Sequence, residues 1–364
     1  MRRTAIVFAR LAASALCRCS LSALLCVAAA AVHGQETIDS VPASRPGFLS
    51  RFIAKFDNYD TTYIEPNKYS WAAMIQGTMP VERYKIWSNS ADQKLFFSPK
   101  PGFKIGPYFG WKFIFLGYSF DVTQQDSHKK QTSAFDLSLY TSRIGVDFLY
   151  RHSGDDYRLK TDDGYMEADG TVGIDVLGLN AYYILNYKHF SYPAAMSQST
   201  VQRRSAGSLM LGASVTKHSL TFDYNTLIAD KGIDLADNLC FDRLKYYDYN
   251  ISVGYGYNWV FARNWLLCVS AMPAIGYKHL SAGYTLPTNI TPDERSFVNR
   301  IGNAFNIDIT ARASIVWNTS RFYGGLAMVL RSYQYRYDNL SVRNTFGTLS
   351  LYFGLNFIRK KASQ

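Results

Sequence analysis

Eight charged side chains fall on the polar faces of alternating segments: Lys104, Asp136, Arg143, Asp147, Arg151, Asp223, Asp308 and Arg312. Gathered inside a hollow fold, such a set forms an ion-selective path or a ladder of sites for a polar solute. The signs are mixed, which argues against a single-sign selectivity filter. The competing reading is a network of salt bridges and hydrogen bonds that braces a narrow barrel from within.

A second constellation runs from Phe190 to Thr200 and continues through Gln202, Arg203, Arg204, Ser205 and Gly207. Ser191, Ser197, Gln198, Gln202, Arg203 and Arg204 supply hydroxyls, amides and guanidinium groups that hydrogen-bond sugars or phosphates. Arg203 with Arg204 is suited to gripping an anion. The plainer reading is a loop whose polar side chains satisfy their own backbone.

A hydrolase needs a nucleophile with a base in reach. His128, His152, His189, His218 and His279 are available, and no Gly-x-Ser-x-Gly elbow appears. Ser191 stands two residues from His189, which would share one strand face, but nothing else joins them. No catalytic residue, metal cluster or cofactor site is therefore expected. Cys240 and Cys268, the two cysteines beyond the N-terminal leader, are expected to stay unpaired.

The elements that must position these groups are alternating strands. From 250 to 261, Ile251, Val253, Tyr255, Tyr257, Trp259 and Phe261 point one way; Asn250, Ser252, Gly254, Gly256 and Asn258 point the other. Phe135, Leu137 and Leu139 oppose Asp136 and Ser138, and Phe305, Ile307, Ile309 and Ala311 oppose Asn306, Asp308, Thr310 and Arg312. One greasy and one wet face in nearly every strand describes a closed barrel with lipid outside and polar groups inside. A soluble sandwich would rarely need so many outward Tyr and Phe residues.

Composition agrees. Hydrophobic residues make up 48% and aromatics 15%, with Tyr 27 and Phe 23 far ahead of Trp 6, a load suited to interfacial girdles. Mean hydropathy is only −0.13, too low for a helical membrane protein. Residues 1–34 read as a signal peptide, with Arg2, Arg3 and Arg10 ahead of an Ala-rich apolar run and a cut near Ala31 or Gly34. Its removal takes four Arg and no acid, so the formal charge falls from +11 to +7. Basic residues are scattered rather than clustered, which excludes a nucleic-acid module.

Residues 35–68 are expected as a periplasmic segment, with a short amphipathic helix marked by Phe48, Phe52 and Phe56. The barrel is expected over 69–358, followed by a tail at 359–364. Tight turns are expected near Gly110-Trp111, Ser142-Arg143, Lys217-His218, Ala262-Arg263-Asn264 and Asn318-Thr319-Ser320, with longer loops near 122–133, 153–175, 228–246, 280–303 and 337–344. With short turns in the periplasm and long loops outside, the direction of 206–217 demands an extra upward strand within His189–Thr200. That gives about fourteen antiparallel strands in an up-and-down β-barrel, with twelve as the alternative.

The runs Tyr63-Ile64-Glu65-Pro66-Asn67-Lys68-Tyr69, Pro101-Gly102-Phe103-Lys104-Ile105-Gly106-Pro107-Tyr108-Phe109-Gly110-Trp111, Phe135-Asp136-Leu137-Ser138-Leu139-Tyr140, Gly178-Leu179-Asn180-Ala181-Tyr182-Tyr183-Ile184, Phe190-Ser191-Tyr192-Pro193-Ala194-Ala195, Gln202-Arg203-Arg204-Ser205-Ala206-Gly207-Ser208 and Tyr257-Asn258-Trp259-Val260-Phe261-Ala262-Arg263-Asn264 carry a resemblance. Over roughly 55–358 the chain resembles the family called domain of unknown function 4421. The resemblance implies an exported outer-membrane barrel of Bacteroidetes-type bacteria and assigns no substrate or site residue. The expected partners are outer-membrane lipid, the barrel-assembly machinery and a small polar solute passing through the lumen. A structural, adhesive or complex-assembly barrel with a closed lumen is the alternative, and an enzyme at the lumen mouth acting on lipid or glycan is a third.

Overall fold

Among the described residues, alternation of apolar and polar side chains is realised as eighteen strands and two short helices in the computed structural model. The structure describes residues 59–280 and 303–359, apart from 92, 112–113, 118–119, 124–132, 153–156, 162–163, 169, 230–231, 237–238 and 338–339. The expected signal peptide, N-terminal helix, His128 and most of the C-terminal tail lie outside these residues.

The long strands are β2 (Tyr69–Ser88), β7 (Ser133–Tyr140), β8 (Ile144–His152), β11 (Val172–Ile184), β13 (Ala206–Phe222), β14 (Arg243–Ala262), β15 (Trp265–Leu280), β16 (Asn303–Asn318), β17 (Phe322–Tyr337) and β18 (Leu340–Arg359). All neighbours are antiparallel, in the order β2, β18, β17, β16, β15, β14, β13, β11, β8, β7. The other side of β2 carries β3 (Lys94–Pro99) on its loop-side half and β4 (Lys104–Trp111) on its turn-side half. β4 pairs with β5 (Ile114–Gly117) and β6 (Phe120–Asp121), and β5 comes close to β7, the far end of the ladder. Counting β3 with β4 and β5 with β6 as broken strands, the wall has twelve strands among the described residues, the smaller of the two expected numbers.

Two expectations give way to reach that number. Lys217-His218 is no turn: β13 runs unbroken, and His218 pairs with Val176 on one side and Tyr246 on the other. No upward strand occupies His189–Thr200. After a turn at 185–189 the chain forms helix α1 (Tyr192–Met196), then β12 (Thr200–Gln202), which pairs with β1 (Ile64–Pro66) in a separate two-stranded sheet. The expected loop at 337–344 is also shorter, because Tyr337 and Leu340 still pair.

The outward face is a belt of large apolar side chains. Ile251 is 73% exposed and Ile307 74%, in company with Ile75, Leu179, Leu211, Val253, Ile275, Leu351 and Phe353. Water punishes such a surface and lipid does not, so a closed sheet wearing this belt is a transmembrane barrel of the outer-membrane class. Spanning needs only about 9–11 residues per strand, whereas β2, β14 and β18 each have 20. The strands therefore continue beyond the membrane on the loop side. There the outward positions become Arg83, Lys85, Lys217 and Arg343. Three of them stand over aromatic rings: Lys85 Nζ 4.8 Å from Trp87, Arg343 5.8 Å from Trp87 and Lys217 Nζ 5.8 Å from Tyr247.

Inside this extension the chemistry is that of a soluble core. Ile86, Phe97, Val176, Phe222, Phe241, Tyr246 and Phe346 are buried together. The hairpin of β9 (Tyr157–Thr161) and β10 (Gly164–Glu167) adds Tyr157 and Leu159, and helix α2 (Tyr224–Ala229) adds Leu227.

Candidate functional site: a polar lumen

Three layers of side chains lie inside the barrel below that core. The lowest is built on α1, which turns inward from the short-turn end. Ser191 Oγ accepts from Ala194 N at 3.2 Å, and Pro193 in the first turn has no amide to satisfy. Phe190, Tyr192 and Ala195 are fully buried. The wall grips the segment at four points. Tyr192 Oη and Ser270 Oγ are 2.7 Å apart, and Asn258 Nδ2 donates to Ser191 O at 2.8 Å. Ser314 Oγ donates to Ala195 O at 3.0 Å, and Gln198 Nε2 to Tyr352 Oη at 2.7 Å. Gln202 ties the segment to itself, accepting from Ser191 N at 2.9 Å and donating to His189 O at 2.6 Å.

Arg203 and Arg204 do not form an anion grip. Arg203 Nε donates to Glu65 Oε2 at 2.7 Å and Arg203 Nη1 to Asn264 Oδ1 at 3.1 Å, while Arg204 stands over the Tyr63 ring. The expected solute cluster is thus a plug and its staple. Partial burial pushes the Glu65 carboxyl up, but Lys68 at 3.0 Å and Arg203 outweigh it and hold it below its ordinary value. A lowered folded value means stability that is present above the ordinary carboxylate range, about 4.3, and lost as pH falls through the folded value. Amides of β1 and β12 are therefore expected to exchange hydrogen faster, relative to wall amides, below about pH 4. Glu65→Gln should remove that pH dependence, and an unchanged ratio from pH 7 to pH 3 would contradict the staple.

The middle layer centres on Asp147, which is buried. It accepts from Ser138 Oγ at 2.7 Å, Tyr140 Oη at 3.3 Å and Asn180 Nδ2 at 3.3 Å, and pairs with the Arg312 guanidinium. Arg312 is 2% exposed and lies between the rings of Tyr182 at 5.3 Å and Tyr192 at 5.8 Å. Gly145 makes room for this stack, since a Cβ there would stand 2.2 Å from the Tyr182 ring.

In the upper layer Lys278, fully buried, binds two carboxylates: Asp248, and Asp308 at 2.7 Å. Asp308 also accepts from Gln334 N at 2.8 Å. Gly276 faces the trio, where a Cβ would lie 2.3 Å from Asn250 Oδ1. Above it His218 stacks on Tyr246 at 4.6 Å and Tyr246 on Tyr335 at 5.0 Å.

Of the eight charged residues expected in the lumen, Asp147, Arg151, Asp308 and Arg312 are buried and Lys104 is half-buried beside them. Arg143 sits instead at the short-turn rim over the Tyr187 ring, 4.1 Å away. Asp223 is at the loop end, where it accepts from Thr226 N at 3.2 Å and Thr226 Oγ1 at 2.8 Å at the start of α2. Asp136 has its backbone in β7 opposite Leu149, and its side chain is outside the described residues. Sequence reasoning missed Arg331, Asp248 and Lys278. All three hold the inward phase of their strands, and Asp248 opposes Lys278 directly in register.

Ser191 and His189 do not meet as a dyad. Ser191 Oγ is 2.6 Å from Thr200 Oγ1, whereas His189 Nδ1 is 3.0 Å from Asn186 Oδ1. Among the described residues no group of His, Cys, Asp and Glu is arranged to hold a metal. Cys268 is buried on the lumen face, and Cys240 is half-buried with its Sγ 3.7 Å from Ala236 O.

The family described as "Domain of unknown function (DUF4421)" matches residues 58–357. No curated protein matches the chain. Among solved structures it is similar to the outer membrane protease OmpT from Escherichia coli, at 8% identity and a TM-score of 0.34, covering 80% of this chain and 97% of that one. The outer membrane protein OprG from Pseudomonas aeruginosa gives 12% identity and 0.23, covering 80% and 98%. The toluene transporter TodX of P. putida gives 8% and 0.20, covering 80% and 91%. These likenesses are too distant to carry a function, and the membrane assignment rests on the wall itself.

Proposed function

The chain belongs to the family of domain of unknown function 4421, and from that premise we propose that it is a closed-lumen barrel of the bacterial outer membrane. Its work is done by the folded extension that the strands raise beyond the lipid, through surface contact or complex assembly, and its insertion falls to the barrel-assembly machinery. The observation that carries this reading is the stacking of three layers across one lumen: the α1 plug, the Asp147–Arg312 layer and the Lys278 trio, capped by an apolar core. An open pore would instead leave a continuous polar channel. Planar-bilayer recording is the test. Purified protein is expected to add no steady conductance steps, and a stable ohmic channel in the wild type would overturn the reading.

A second reading, gated passage of a small polar solute, is favoured by one feature: a cavity of about 300 Å³ bordered by the plug residue Gln198. Under that reading the wild type is silent, and weakening the hold on the plug with Tyr192→Ala and Gln198→Ala opens brief conductance.

A further inference from the structure

That same cavity is lined by more cationic side chains than the plug accounts for. Four cationic side chains line it, Lys104, Arg151, Arg312 and Arg331, and no carboxylate does among the described residues. Among the described carboxylates, Asp147 holds Arg312, and Glu82 lies on β2 beyond the lining residues Thr78 and Pro80. Arg331 comes only within 3.9 Å of Asp147, past hydrogen-bonding range, and makes no hydrogen bond among the described residues. Arg312 Nε, buried with its residue, likewise has no protein acceptor. Buried guanidinium donors are costly to leave without an acceptor.

We propose that this cavity binds a small polyanion, a molecule bearing phosphate or carboxylate groups on a short polar body. Guanidinium groups match both oxyanions in geometry, and a lysine adds a point charge. Gln198 and Ser350 bring amide and hydroxyl groups for the rest of the ligand. A cavity of about 300 Å³ suits a small metabolite. Its lining on β2 and β4 is half-buried rather than fully enclosed. The proposal goes beyond the closed-lumen reading and does not depend on it, since binding and conductance are measured separately.

The test is calorimetric titration of the purified protein in lipid nanodiscs, with pyrophosphate and citrate as separate probes and a neutral sugar of similar size as control. Saturable binding of at least one anion, weakening as salt rises, is expected, and a preference between them identifies the head group. Arg331→Gln should weaken it about tenfold or more, and Ser350→Trp, which leaves every cation in place, should block it by filling the space. Should a variant misfold, phenylglyoxal labelling of the wild type gives the answer directly, because bound anion should shield Arg331. Absence of saturable binding by either probe, binding that survives both folded variants, or labelling of Arg331 that bound anion leaves unchanged would each overturn the proposal.

Discussion

Asp147→Ala is expected to lower the unfolding free energy by about 3–5 kcal/mol, the scale on which removing one partner of a buried ion pair acts. Arg312, 2% exposed, would be left without its counterion, and Ser138, Tyr140 and Asn180 would lose their acceptor. Reversible denaturant unfolding in lipid vesicles measures the change. A second variant separates the two causes of such a loss. Asp147→Leu combined with Arg312→Met removes both charges and fills the space with apolar atoms, and buried pairs replaced in this way are often neutral or better. The double variant should therefore be distinctly more stable than Asp147→Ala. Equal losses in the two would mean that shape, rather than stranded charge, governs this layer.

Lys278→Met is expected to cost as much or more. One ammonium serves two carboxylates there, Asp248 fully buried and Asp308 nearly so. The substitution leaves two like charges facing each other in a space from which water is excluded, where each is expensive. Asp248→Asn makes the opposite change, leaving one ammonium against one carboxylate. Its effect should be smaller than that of Lys278→Met by at least about 2 kcal/mol, a difference within the usual spread for paired against unpaired buried charges. If Asp248→Asn proves the more damaging, the trio is held together by its hydrogen bonds and not by its charges.

Much of the wall was legible from residue types. In β14 the alternation from Asn250 to Phe261 is the observed division between lumen and lipid, and the turns at Asn264 and Ser320 occur where expected, each in a left-handed backbone with φ of 67° and 73°. The misread pair Lys217-His218 has a physical cause. Above the lipid the outward face turns charged and the inward face apolar, so Lys217 looks outward and His218 and Leu220 inward with no break in period. Reading polar residues as a turn assumes that the solvent stays lipid along the whole strand, and here it does not.

The plug was missed for another reason. Ser191 followed by Pro193, Ala194 and Ala195 is a helix start by its capping chemistry, a signal that a count of strand directions does not read. The candidate site was half visible. Period two places Asp147, Asp308 and Arg312 on the inward face, but only the closure of the sheet brings Asp147 of β8 against Arg312 of β16, 165 residues apart. No local pattern records a contact of that kind.

The whole account depends on which way the strand faces look, and spin-label accessibility reads this directly. In a protein with Cys240 and Cys268 changed to Ser and embedded in bilayers, single labels are placed at Ile251, Ile275 and Ile307, three of the most exposed apolar positions of the wall. Their relaxation is expected to be enhanced by lipid-soluble oxygen and barely by a water-soluble nickel chelate. Strong collision with the nickel chelate at all three positions would contradict the structure's assignment of that face to the membrane.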